Sequence, residues 1–126
     1  MTSVGTLGTL TVSGITSTNG IGINYSATLT TSAVTANQIA DTSLAIASYR
    51  SVKYMISITS GAAYEYTEVS MIHDGTNVYM TENNTLLSGA SLATFTAAIS
   101  GGNLQLLTTP ANAVTVYKII AIAIAA

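Results

Sequence analysis

His73 is the one imidazole in this chain of 126 residues, and five carboxylates could orient it: Asp41, Glu65, Glu68, Asp74 and Glu82. A serine–histidine–carboxylate relay needs a hydroxyl that loses its proton to the ring while the carboxylate holds the ring in place. Serines abound, yet no Gly-x-Ser-x-Gly elbow occurs. His73 stands directly before Asp74-Gly75, a tight-turn pair, so the favoured reading is a strand end whose ring bonds the turn backbone. Hydrolysis of a glycosidic bond by acid–base chemistry needs two carboxyls on one cleft. Glu65 and Glu68 fall on opposite faces of one strand, and Glu68 and Glu82 on opposite faces of one hairpin. Arg50 is expected at a rim, pairing with Glu68 or Glu82. From these residues we expect no catalytic centre and a protein that is not an enzyme.

Metal and cofactor chemistry is equally thin. One histidine and no cysteine leave no multi-histidine or thiolate site. Asp74-Gly75-Thr76-Asn77 resembles an oxygen-ligand loop, but a hairpin turn accounts for it without an ion. No Gly-x-x-x-x-Gly-Lys-Ser/Thr and no Gly-x-Gly-x-x-Gly is present. No cofactor is expected. Eight residues carry formal charge, 6% of the chain, against roughly 25% in an average soluble protein. Three cations cannot neutralise a phosphate backbone, so nucleic acid is not an expected partner. The mean hydropathy is +0.51, while serine and threonine supply 35 residues, a surface wetted by hydroxyls rather than ions. The longest apolar run, Ile119 to Ala126, has eight residues, where a spanning helix needs ~20. Neither a membrane partner nor a secretory leader is expected, since Met1-Thr2-Ser3-Val4 lacks a basic region. So apolar and so weakly charged a surface favours self-association.

The elements that must carry these residues read as strands. From Leu44 to Ile58 apolar and polar positions alternate with period two. Tyr64 to His73 forms the next strand, and Asp74-Gly75 turns it into a hairpin. A two-residue loop sets Met71 opposite Val78, and a four-residue loop sets it opposite Met80. Either register puts Val69, Met71, Val78 and Met80 on one face. Gly75 is expected to need positive φ, and Asp74 and Gly75 are the expected structural turn. Leu92–Ile99, Asn103–Thr108 and Ala113–Ile124 complete six strands after residue 44, with two or three weaker ones before it. Asp41-Thr42-Ser43 could cap one helical turn and no more. Short strands with regular turn signals predict an all-β fold, an antiparallel, jelly-roll-like β-sandwich.

Residues 1–40 carry no charge and only isolated aliphatics. They are expected to form an extended N-terminal arm or edge strands, with the sandwich over 41–126. The C-terminal strand sets Ile120, Ile122 and Ile124 on one side and Ala121, Ala123 and Ala125 on the other. As a free edge it would aggregate, so it must lie mid-sheet or pair across a subunit boundary. Tyrosine outnumbers the other aromatics, seven against one phenylalanine and no tryptophan. The candidate interface comprises Tyr49, Tyr64, Tyr66 and Tyr79 with Ile120, Ile122 and Ile124.

Several strings carry a family signal: Ser48-Tyr49-Arg50-Ser51-Val52-Lys53-Tyr54, Ile72-His73-Asp74-Gly75-Thr76 followed by Tyr79-x-Thr81-Glu82, and Gly101-Gly102-Asn103-Leu104 with Thr109-Pro110-Ala111-Asn112. Over residues 38–118 the chain resembles a β-rich domain of virion structural proteins of tailed bacteriophages, especially cyanophages. The resemblance implies a virion location and a structural role without catalysis. The expected function is a multi-copy virion protein, with capsid decoration or cement first. A neck, tail or fibre component comes next, then a carbohydrate-binding module. Expected partners are the chain itself, with a trimer favoured, and other virion proteins such as the major capsid protein.

Overall fold

Alternation of apolar and polar residues becomes nine strands in a computed structural model, which describes residue 14 and residues 16–126. They are β1 (Thr16–Thr18), β2 (Gly22–Thr30), β3 (Gln38–Ala45), β4 (Tyr49–Ser60), β5 (Ala63–His73), β6 (Val78–Leu87), β7 (Ala93–Ser100), β8 (Asn103–Pro110) and β9 (Val116–Ala125). All pairings are antiparallel. A six-stranded sheet runs β1-β2-β9-β4-β5-β6 and a three-stranded sheet runs β3-β8-β7. Their inner faces enclose one core, in which Tyr54, Ile56, Val69, Leu44, Leu104, Leu106, Tyr117 and Ile119 are fully or almost fully buried. The fold is an all-β antiparallel sandwich with sheets of unequal size.

Four details depart from the sequence reading or refine it. The alternation from Leu44 does not belong to one strand: it spans the end of β3 and all of β4, joined by a turn closed by Ser48 N–H donating to the Ala45 carbonyl at 3.0 Å. Leu44 and, from Val52 to Ile58, the even-numbered residues face inward, and a bulge between Tyr49 and Ser51 restores the phase after the turn. The hairpin after His73 takes the four-residue loop, with Met71 opposite Met80 and His73 opposite Val78. Only Gly75 has positive φ there (98°), so this is not the two-residue turn in which Asp74 would share it. Asp74 instead closes the loop with its side chain, Oδ1 accepting from the N–H groups of Thr76 and Asn77 at 2.9 and 2.7 Å.

Residues 1–40 divide differently from the expected boundary. Residues 1–13 and 15 lie outside the described residues, and with them about a third of the expected arm. From residue 22 onward the chain supplies strands to its own sandwich. β2 pairs with β9 along nine residues, from Gly22 opposite Ile124 to Thr30 opposite Val116. Gly22 is required by close approach, since a Cβ there would sit 2.7 Å from the Ala123 carbonyl oxygen. β3 crosses the boundary between residues 40 and 41 and forms an edge of the small sheet. The aliphatics of this region are sparse because β2 and β3 each contribute few core residues. Pairing with β9 and β8 satisfies their backbone groups instead.

β9 lies mid-sheet, between β2 and β4. Towards its C-terminal end alanines face the core and isoleucines face out: Ala121 and Ala123 are fully buried, whereas Ile120, Ile122 and Ile124 are exposed. The reason lies in the neighbours. Tyr25 on β2 and Tyr54 on β4 both stand opposite Ala121. A methyl between two tyrosines leaves their rings room to converge, and a larger residue would collide with both.

Candidate functional site

The tyrosines beside Ala121 converge on a buried carboxylate from the other sheet. Tyr25 and Tyr54 donate their hydroxyls to Oδ2 of Asp41 at 2.5 and 2.9 Å. Ser43 donates its hydroxyl and its N–H to Oδ1 at 2.6 and 3.2 Å. The β3–β8 register shifts on both sides of Asp41. These bulges let consecutive Ala40 and Asp41 both face inward. Burial first, and the Asp41 carboxylate beside them, push both tyrosine hydroxyls far above their ordinary range, so they stay protonated donors. Asp41-Thr42-Ser43, expected as a helix cap, uses the same side-chain-to-N–H bond inside a bulged strand. The cluster ties β2, β3 and β4 together and is closed to solvent.

The other titratable groups are held one by one. Buried Glu65 accepts from Leu92 N–H at 2.7 Å and from the Ser91 hydroxyl at 3.3 Å. Glu82 accepts from the Thr67 hydroxyl at 2.7 Å. His73 is buried; its Nδ1 accepts from Gly75 N–H at 3.0 Å, which leaves Nε2–H to donate to the Tyr49 carbonyl at 2.6 Å. Arg50 reaches neither Glu68 nor Glu82 but donates to the His73 carbonyl at 3.1 Å. Lys53 takes the place expected of Arg50 and pairs with Glu68 at 3.0 Å. The Tyr66 hydroxyl, then Lys53 and Asn84, bond the Glu68 carboxylate and hold its pKa down at about 2. No group of three or more His, Cys, Asp or Glu side chains is disposed around a common point among the described residues.

What the fold does assemble is a face. On the outer side of the large sheet, cross-strand registers set Ile124, Ser51, Ile72 and Tyr79 in one row, Ile122, Lys53, Ser70 and Thr81 in the next, and Ile120, Met55, Glu68 and Asn83 below. Ile72, Tyr79, Ile120, Ile122 and Ile124 are 42–57% exposed. A shallow, almost wholly apolar groove of about 620 Å³ runs among Ser51, Lys53, Ile72, Tyr79, Ile122 and Ile124. A second depression of about 430 Å³ continues it past Met55, Tyr66, Lys118 and Ile120. Of the candidate interface residues, Tyr64, Tyr66, Tyr79, Ile120, Ile122 and Ile124 all fall on this face. Tyr49 is half-buried at its margin, packed against the core. Sequence reasoning missed Ile72 and Met55. The signal was present in the alternation, since each is out of phase with the core residues on its own strand.

No protein-family model and no curated protein matches the sequence. Among solved structures, the fold is similar to part of the tailspike protein gp49 of Acinetobacter baumannii bacteriophage Fri1, a capsular polysaccharide depolymerase. The TM-score is 0.54 and the identity 15%, over 90% of this chain and 19% of that one. The tailspike protein of Acinetobacter phage vB_ApiP_P1 gives a TM-score of 0.41 at 16% identity, over 94% of this chain and 24% of that one. This chain therefore spans about a fifth to a quarter of the length of these tailspikes. The expectation that the protein is not an enzyme is corrected by this likeness: gp49 is a depolymerase, and the fold occurs within it. The structural neighbours are phage tailspikes but not cyanophage proteins, so the cyanophage part of the resemblance has no structural counterpart here. At this level of identity what the chain shares with gp49 is a fold, the β-sandwich of a phage tailspike segment.

Proposed function

We propose that this chain is a tail-associated virion domain of a bacteriophage, a β-sandwich of the kind built into tailspikes, acting in several copies. The observation that carries the proposal is the likeness of 90% of the chain to a segment of gp49. Fold alone does not dictate function. The sequence adds independent support through its virion-protein strings and its low charge. Capsid decoration was the first expectation on size and composition. The tail now takes precedence, because the likeness is to a tail component. Copies of the chain are its foremost partners, with three the favoured number.

The test is to locate the protein on intact particles. Antibody against the purified chain, viewed by electron microscopy, should decorate the tail tip or its appendages. Decoration spread over the head would overturn the proposal and restore the capsid reading.

A further inference from the structure

We infer that the outer face of the six-stranded sheet is where copies of this chain pack against one another, through the surface centred on Ile122 and Ile124. The inference deepens the proposed multi-copy role and rests on it for the presence of several copies.

Three observations choose the occupant. The first is shape: the face is a broad, shallow trough across β9, β4, β5 and β6, not an enclosed pocket. Another flat sheet can cover such a surface, and sheets pack face to face at ~10 Å. A sugar would meet few polar groups in the trough, where the hydroxyls of Ser51, Ser70 and Thr81 alternate with larger apolar side chains. The second is charge. Lys53 and Glu68, at the middle of the face, neutralise each other at 3.0 Å within the chain. The centre therefore needs no opposite charge from a partner, and a copy brings an equally neutral centre. The third is area. Four strands at ~4.8 Å spacing and about nine residues at ~3.4 Å each make a plane of roughly 600 Å² before side-chain relief. A standard interface buries ~800 Å² per partner.

The opposite outer face makes a useful contrast. On the small sheet, Thr94 and Thr96 of β7 are exposed, with Gln105 and Thr109 of β8 half-buried. On that face exposed Ile39 stands among hydroxyls, whereas the large sheet offers Ile72, Tyr79, Ile120, Ile122 and Ile124 to solvent.

Sedimentation and footprinting of the full chain test the inference. The wild type should sediment at an integer multiple of 12.9 kDa. Ile122→Glu and Ile124→Glu should each return it to a single copy with unchanged far-UV circular dichroism, because both positions point away from the core. Thr94→Glu, on the small sheet, should leave the multiple intact. Hydroxyl-radical oxidation of Met55 and Tyr79 in the wild type should fall several-fold between the dilute single copy and the assembled form. This measurement does not depend on any variant folding. If the multiple survives both isoleucine substitutions, or if Met55 and Tyr79 oxidise equally in both forms, the face is wrongly assigned and the multi-copy role stands. A wild type that stays at one copy at every concentration overturns both, while particle labelling still decides the tail location.

Discussion

β9 divides the molecule into two regions with opposite habits. Inward, it presents Ala121 and Ala123 between large neighbours, and the space they leave is filled by Tyr25 and Tyr54 reaching for Asp41. Outward, it presents Ile120, Ile122 and Ile124 beside Ser51, Lys53 and Met55, and among the described residues nothing covers them. Side-chain size alone therefore does not mark the core. A small residue is buried where flanking strands supply the volume, and a large one is left outside where they do not. The inner region is polar at its centre and fully satisfied. The outer region is apolar around the Lys53–Glu68 ion pair and half exposed.

The largest effect should come from removing the strand that frames the inner region. Deleting residues 2–36 takes away β2 and Tyr25 and leaves one side of β9 unpaired. The truncated chain should show no cooperative unfolding transition by calorimetry. A truncated chain that melts normally would mean β2 is an accessory strand and would collapse the contrast between the two sides of β9.

Next in size is the carboxylate. Asp41→Ala leaves two tyrosine hydroxyls buried without an acceptor, each costing about 1–3 kcal/mol, so the loss should be about 3 kcal/mol or more. Asp41→Asn keeps an oxygen for the tyrosines and should cost clearly less. Urea denaturation of both variants measures the difference, and equal losses would show that the charge, not the acceptor, holds the cluster.

The two faces of β9 can then be compared directly. Ala121→Leu forces side-chain volume between Tyr25 and Tyr54 and should cost about 1–3 kcal/mol. Ile122→Ser, one residue away and facing out, should change the stability of the dilute single copy by no more than about 0.5 kcal/mol. Denaturation midpoints for the pair check this. A reversed order would mean that the strand is turned over.

The smallest effect concerns the polar spot on the outer face. The carboxyl of Glu68 is held at about 2 against an ordinary 4.5, chiefly by the Tyr66 hydroxyl and then by Lys53. A depressed value means that its contribution is fully present above about pH 4.5 and is lost as pH falls towards 2. The melting temperature of the wild type should therefore approach that of Glu68→Gln as the pH is lowered through this window. A gap that stays constant down to pH 2 would show that Glu68 gains nothing from its neighbours.

Much of this was legible in the residues. Period-two alternation marked the strands, and the phase of Val69, Met71, Val78 and Met80 marked the core side of the hairpin. Glu65 and Glu68 could be assigned to opposite faces because three residues separate them. What could not be read was which partner each side chain would find. Arg50 was expected to reach Glu68 or Glu82, but it sits in a bulge between Tyr49 and Ser51, and the β4–β5 register sets Lys53 diagonally across from Glu68 instead. Asp41 carried a local signal, a carboxylate two residues before a serine. Its long-range partners, Tyr25 and Tyr54, lie 16 and 13 residues away and carry none.

The sequence by itself determined that this protein is all-β and weakly charged, because those properties follow from residue type and local period. It also determined that β9 would have an alanine side and an isoleucine side. Only the tertiary structure decided which side faces inward, because that choice depends on the volumes of Tyr25 and Tyr54, set beside Ala121 by strand pairings far apart in sequence. The same pairings gathered tyrosines and isoleucines from four strands onto one outer face. No stretch of sequence holds that face, since each strand contributes only alternate residues to it.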